Sequence, residues 1–253
     1  MSKNFWTLDK DGDEILRNLE KENESFTIER YRNGEFDGNN YMWHEMFSNY
    51  IYDDNGCDYE RYGCLIKEGD VVLDVGGNIG VFAHRAELRG ASKVISFEPL
   101  TPTFNCLIKN KGDKTSVYKM AIGDENKWVD FKIHTDYTNI GGGFSKDTVL
   151  NSRKVIHNEK SYMININEVF SGLSDRIDFI KMDIEGGEVD ALNAITDNNL
   201  SSIRCLSAEF HKTYEEFEIF QNNFINRMHN LGFQSFVLYY GDGNLRTINF
   251  WKQ

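Results

Sequence analysis

The stretch Val71-Val72-Leu73-Asp74-Val75-Gly76-Gly77-Asn78-Ile79-Gly80 runs a short apolar segment straight into a glycine-rich turn. A helical pattern follows from about Ile79 to Leu88, so the stretch reads as strand, turn and helix start. The same alternation repeats downstream. KVISF precedes a helix from about Pro102 to Lys111, SVYKMAI is a further strand, DFIKMDI precedes a helix from about Gly187 to Ile195, and IRCLSAEF precedes a last helix. Strands alternating with helices of this length predict βαβ units and a mostly parallel sheet with helices on both faces. The chain closes with QSFVLYY and LRTINFW around Gly241-Asp242-Gly243-Asn244, which predicts an antiparallel hairpin.

Helix ends are marked locally. Thr101 before Pro102 suits an N-cap followed by the first helical position, where a missing N–H costs nothing. Thr213-Tyr214-Glu215-Glu216 has capping-box spacing, and Phe217, Phe220, Phe224, Ile225 and Met228 then share one helical face before Gly232.

A glycine turn between a buried strand and a helix lets a ligand approach the backbone, because residues without a Cβ leave room and adopt positive φ. A dinucleotide turn would read G-x-G-x-x-G, and counted from Gly76 that spacing meets Asn78 and Val81 instead of glycine. The pattern present is Asp-x-Gly-x-Asn-x-Gly over Asp74, Gly76, Asn78 and Gly80. An acid two residues before the first glycine sits badly beside a phosphate and well beside a cationic amine. The turn therefore points to a cofactor that carries an amino acid.

Two further elements join it. Glu98 ends the strand KVISF 18 residues past Gly80, where an acid in such folds hydrogen-bonds the hydroxyls of a ribose. Ile180-Lys181-Met182-Asp183-Ile184-Glu185-Gly186-Gly187-Glu188 delivers three carboxylates into a turn that opens a helix, and acids are favoured there. Asp183 falls at a strand end facing the same crevice, whereas Glu188 suits either the site or the helix dipole.

The rest of the chain bounds the function. The 253 residues carry a net charge of −12, and residues 1 to 60 hold 15 Asp or Glu against 6 Lys or Arg, a poor surface for a nucleic-acid backbone. No run approaches a secretory signal or a membrane span, so a cytoplasmic protein is the expectation. The four cysteines lack the paired spacing of a zinc site and read as free thiols. Residues 1–60, with a weak helical pattern at Glu14 to Leu19 and an aromatic cluster from Tyr41 to Tyr52, read as an extension packed on or capping a domain over 61–253. Asp130 to Lys160, with Gly141-Gly142-Gly143, reads as a loop beside the sheet.

With these blocks in hand, the chain resembles the FkbM family of S-adenosylmethionine-dependent methyltransferases. The resemblance rests on GDVVLDVGGNIG, on ISFEP with PTFNCLIKN, on AIGD at 121–124 and on IKMDIEGGE, together about residues 65 to 210. It implies a Rossmann-like class I methyltransferase fold with a seven-stranded sheet. It also implies that Asp74, Gly76, Gly77, Asn78 and Gly80 hold the methionine portion, Glu98 the ribose, and Ala121, Ile122 and Asp124 the adenine edge, with Asp183 near the sulfonium methyl. One departure stands out: where the family often has Leu-Asp, this chain has Ile166-Asn167.

Methyl transfer is an in-line displacement, so the protein aligns the nucleophile and, for a hydroxyl acceptor, helps remove its proton. The candidate bases are Asp183, Glu185 and His211, and Asp183, Glu209 and His211 are also the set a divalent metal would use. The leading expectation is O-methylation of a hydroxyl on a sugar, glycan or similar small molecule. An NAD(P)-dependent oxidoreductase and a non-catalytic cofactor-binding protein are the alternatives, which fold alone does not separate.

Overall fold

The computed structural model describes residues 6–8, 15–18, 25–27, 57–134, 155–174, 176–211, 215–240 and 245–252. Its frame is a seven-stranded sheet. In chain order the strands are β4 (Val71–Val75), β5 (Lys93–Phe97), β6 (Thr115–Tyr118), β10 (Phe179–Met182), β11 (Cys205–His211), β12 (Gln234–Tyr240) and β13 (Leu245–Trp251). Across the sheet they run β12-β13-β11-β10-β4-β5-β6, with β13 antiparallel to both neighbours and the other pairs parallel. The first strand of the domain, β4, is thus central, and the chain steps outward from it in both directions. The strand order reverses at β4, where ligands bind in open α/β sheets.

The helices are α1 (Val81–Leu88), α2 (Thr101–Asn110), α3 (Ile166–Gly172), α4 (Glu188–Ala194), α5 (Asp197–Ser202) and α6 (Glu215–Asn230). One sheet face is apolar throughout: Leu73, Val75, Ile180, Met182, Leu206 and Phe250 pack against α3 to α6, with Phe217, Phe224 and Met228 supplying the expected stripe of α6. The opposite face buries Val72, Val94, Phe179 and Cys205 under Phe82, Ala83 and Ala86 of α1 and under Cys57, Tyr59, Cys64 and Ile66. Residues 57–66 are therefore part of the core. Glu60 fixes them, because its fully buried carboxylate meets Arg85 of α1 and accepts the Ile66 N–H at 3.0 Å. All four cysteines are free and buried, and burial pushes the Cys57 thiol up to about 12.

Several local expectations are corrected. SVYKMAI is two strands: Met120 N–H donates to Tyr118 C=O at 3.0 Å, a three-residue turn that sends β7 (Ala121–Gly123) out of the main sheet. There β7 joins β8 (Lys127–His134) and β9 (Val155–Asn165) in a second sheet of order β7-β9-β8. The flanks of the 130–160 segment are thus strands, because Val129 and Phe131 alternate with polar residues and bury one face; Gly141 to Gly143 lie outside the described residues. Leu100, not Thr101, is the N-cap of α2, and the Thr101 N–H is met by Glu159 of β9 at 3.1 Å. Thr213 and the cluster at 41–52 lie outside the described residues.

Near the N-terminus, β1 (Trp6–Leu8), β2 (Ile15–Asn18) and β3 (Ser25–Thr27) form a three-stranded antiparallel sheet, so the segment expected to be helical at 14–19 holds a strand. Six residues make fewer than two helical turns, and strand pairing outweighs so short a nucleus.

Candidate functional site

The site begins as a row of polar residues inside the sheet. Ser96, Asp74, Lys181, Ser207 and Asn249 are in register across β5, β4, β10, β11 and β13, and all are buried. Buried polar groups need partners. Ser96 donates to Asp74 Oδ2 at 2.7 Å, Ser207 donates to Asn249 Oδ1 at 3.1 Å, and Lys181 Nζ donates to the Gly76 carbonyl at 2.6 Å. Lys181 Nζ also lies 3.6 Å from Asp74 Oδ1 and 3.8 Å from Asp183 Oδ2. Burial works against its charge, but the carboxylates of Asp183, Asp74 and Glu209 more than offset that and its pKa is raised. Burial raises the Asp74 pKa in turn, against the pull of Lys181 and Ser96.

Above this row stands the glycine turn. The Gly76 and Gly77 N–H groups both donate to the Phe97 carbonyl, at 3.0 and 2.9 Å, which draws the turn against the end of β5. Gly76 has φ +83°, and a Cβ there would sit 1.8 Å from the Asp183 carbonyl. Only glycine lets the two strand ends approach this closely. Asn78, also at positive φ, donates its N–H to Glu98 Oε2 at 2.9 Å. Glu98 Oε1 accepts from Leu100 N at 3.0 Å and Thr103 Oγ1 at 2.8 Å, and burial raises the Glu98 pKa to about 7 despite these donors.

One cleft runs over the strand ends. Gly76, Asn78, Glu98, Asp183 and Glu185 line its polar side, and Ala121, Ile122 and Asp124 line it beyond Glu98, where Leu100, Phe131 and Met163 supply an apolar wall. The wall is the work of the second sheet, whose buried face gathers Leu100, Ala121, Val129, Phe131 and Met163. An apolar slot with a few placed polar groups is the usual constitution of a ligand pocket. Asp74, Gly77 and Gly80 stand behind the lining. In particular, Asp74 is fully buried, and the cation it faces within the sheet is Lys181.

The remaining carboxylates have separate duties. Asp183 and Glu209 share the hydroxyl of Tyr59, at 2.9 Å from Asp183 Oδ2 and 2.5 Å from Glu209 Oε2. Glu188 is buried and turned inward, accepting the Ile184 N–H at 3.0 Å and the Gly186 N–H at 3.1 Å, which braces a turn with Glu185 and Gly186 at positive φ. His211 is the last residue of β11, opposite Leu245, and its side chain lies outside what the structure describes. Among the described residues no group of three His, Cys, Asp or Glu side chains converges as a metal site. Asn167, at the departure from the family pattern, accepts from Thr196 N and donates to the Ala194 carbonyl, tying α3 to the end of α4.

Sequence comparison matches residues 74–235, more than half of the chain, to the methyltransferase FkbM domain. The chain belongs to the FkbM methyltransferase family. The matched span of this FkbM chain opens at Asp74 and takes in the glycine turn, Glu98, the second sheet and the acidic turn. A solved FkbM methyltransferase from Methylobacillus flagellatus shares its fold, with a TM-score of 0.51 and 15% identity over 78% of this chain and 46% of that one. The AMB antimetabolite synthetase AmbE of Pseudomonas aeruginosa is 26% identical over 207 residues, 68% of this chain, which spans only 9% of the synthetase. Tyr59 and Glu60 lie before the matched span, and Lys181, although inside IKMDIEGGE, takes its partners from the strand order.

Proposed function

We propose that this FkbM protein uses S-adenosylmethionine to methylate a hydroxyl on a sugar, glycan or similar small molecule. One observation carries the reading: Glu98 and Asp183 end two parallel strands on either side of the glycine turn, and both line a single cleft whose far wall is apolar. The fit to the cofactor is physical. The wall of Leu100, Phe131 and Met163 suits an adenine, and Glu98 Oε2, with one donor from the protein, has acceptor capacity for a ribose hydroxyl. The aminoacyl end would lie against Gly76 and Asn78, the turn residues that line the cleft. Bound there, the cofactor supplies an activated methyl group on a sulfonium centre.

The chain's own residues would then do the rest. Asp183, which lines the cleft, would take the proton of the acceptor hydroxyl, and Asp74 would support it at one remove through Lys181, which holds the Gly76 carbonyl. The acceptor is a small molecule or glycan and not a nucleic acid, in keeping with the net charge of −12. The residues that choose the acceptor lie, in this reading, within 1–60 and 130–160. No helix among the described residues is long and apolar enough to cross a membrane, and four free thiols suit a cytoplasmic setting.

Calorimetry tests the cofactor assignment. S-adenosylmethionine should bind and NAD should not, and Glu98→Ala should weaken the binding about tenfold or more through loss of a charged hydrogen-bond acceptor. Binding of NAD alone would overturn the reading. Methyl release against a panel of methyl glycosides and hydroxylated metabolites tests the acceptor class.

A further inference from the structure

We propose that Tyr59 passes a proton between Asp183, the carboxylate in the cleft, and Glu209, the carboxylate next to it, so that the three side chains form one proton-accepting unit. The proposal rests on the methyl-transfer reading for its purpose but on geometry for its existence. A phenol has one proton, yet Tyr59 Oη is 2.9 Å from Asp183 Oδ2 and 2.5 Å from Glu209 Oε2. It therefore donates to one carboxylate at a time and is placed to accept from the other. Asp183 lines the cleft, while Glu209 is not among its described lining residues.

The ring that carries the hydroxyl is held in place. Tyr59 is buried, with its ring edge-on to Phe82 at 5.7 Å and Lys181 Nζ 5.4 Å from its centroid. The chain is pinned on both flanks: the Asp58 carbonyl accepts from Asn249 Nδ2 at 3.0 Å, and Glu60 is locked in its buried pair with Arg85. Two neighbouring carboxylates on one hydroxyl would repel, and the ammonium of Lys181, 3.8 Å from Asp183 Oδ2, offsets that charge.

The step balances. As the acceptor oxygen forms its bond to the methyl carbon and the carbon–sulfur bond breaks onto sulfur, the hydroxyl proton goes to Asp183. Tyr59 Oη accepts that proton while its own passes to Glu209, so Asp183 is again a carboxylate and Glu209 is neutral. Glu209 is half-buried, and water can then remove the proton. Tyr59 is in this sense a positioning residue acting through Asp183.

Two measurements decide the proposal. Proton NMR needs no acceptor: the wild-type protein should show one exchangeable resonance downfield of the amides, absent in Tyr59→Phe and shifted in Glu209→Gln. The absence of such a resonance in the wild type would overturn the bridge. In turnover on a methyl glycoside, Tyr59→Phe and Glu209→Gln should each lower kcat about tenfold, with KM and S-adenosylmethionine affinity within about twofold, and the double variant should be no worse than either. Multiplicative losses, or wild-type kcat in Tyr59→Phe, would refute the relay. A wild-type protein that fails to bind S-adenosylmethionine would remove the methyl-transfer reading, while the NMR resonance would still decide whether the hydroxyl bridges the carboxylates.

Discussion

Two acidic residues of neighbouring strands, Asp74 within β4 and Asp183 just past β10, differ by one pleat repeat in depth, and that difference separates a buried brace from a carboxylate that reaches the cleft. Asp74 sits opposite Lys181 in the register of β4 and β10, inside the sheet and fully buried. Asp183 lies two residues beyond Lys181, roughly 6.6 Å farther along the strand, and reaches the cleft. The glycine turn has no side chain where it touches the Asp183 backbone, whereas the acidic turn is tied from within by Glu188. A carboxylate at a strand end in such a sheet thus takes its role from register as much as from its motif.

Lys181 serves both carboxylates. Lys181→Met strands the buried Asp74 without its cation and should destabilise the protein by about 3–5 kcal/mol. For a domain of this size that is roughly a 10 °C fall in Tm. Thermal unfolding checks it, and Asp74→Asn combined with Lys181→Met should recover a large part of the loss, because no lone charge is left in the interior. An unchanged Tm in Lys181→Met would mean that the polar row does not hold the turn.

Asp183→Asn probes the other member of the pair. It should lower kcat about a hundredfold, within the usual range for removing a general base, and change stability by less than about 1 kcal/mol because the side chain is partly exposed. Asp74→Asn should show the reverse split, costing mainly stability. Equal splits in the two variants would erase the distinction drawn from register. Glu188→Gln is milder: its carbonyl can still accept from Ile184 and Gly186, its NH2 replaces only the oxygen that faces the Gly186 N–H, and the loss of charge should cost about 1 kcal/mol in unfolding free energy.

How much of this the sequence carries follows from distance along the chain. The strand-turn-helix at 71–88 and the placement of Glu98 and Asp183 at strand ends are local signals, written in periodicity and glycine spacing. The second sheet is also local: Val129 and Phe131 alternate with polar residues, but the glycines at 141–143 pull the composition toward a loop. Lys181 and Tyr59 are different. The Lys181 bond to Gly76 joins residues 105 apart, and the Tyr59 bonds to Asp183 and Glu209 join residues 124 and 150 apart. Nothing in FIKM or CDYE states those partners, since strand order creates them. The same holds for Glu60 and Arg85, an ordinary acid and base until the fold buries both.

A third carboxylate, Glu98, is buried like Asp74 but lines the cleft like Asp183. Its pKa is raised by burial to about 7, against the donors Leu100, Thr103 and Asn78. Ribose hydroxyls would donate to the ionised form, so binding should carry a proton cost below that value. S-adenosylmethionine affinity should therefore rise with pH by at most about tenfold per unit up to about 7 and then level off. Glu98→Gln should give weaker binding with this pH dependence removed. Stability without ligand runs the opposite way. The folded state holds this proton more tightly than the unfolded chain does, so the contribution is full below about 4.5 and is lost as pH rises toward about 7. Opposite slopes for affinity and stability over one pH window, both abolished by one substitution, would mark Glu98 as the group that ties the cofactor's ribose to the fold.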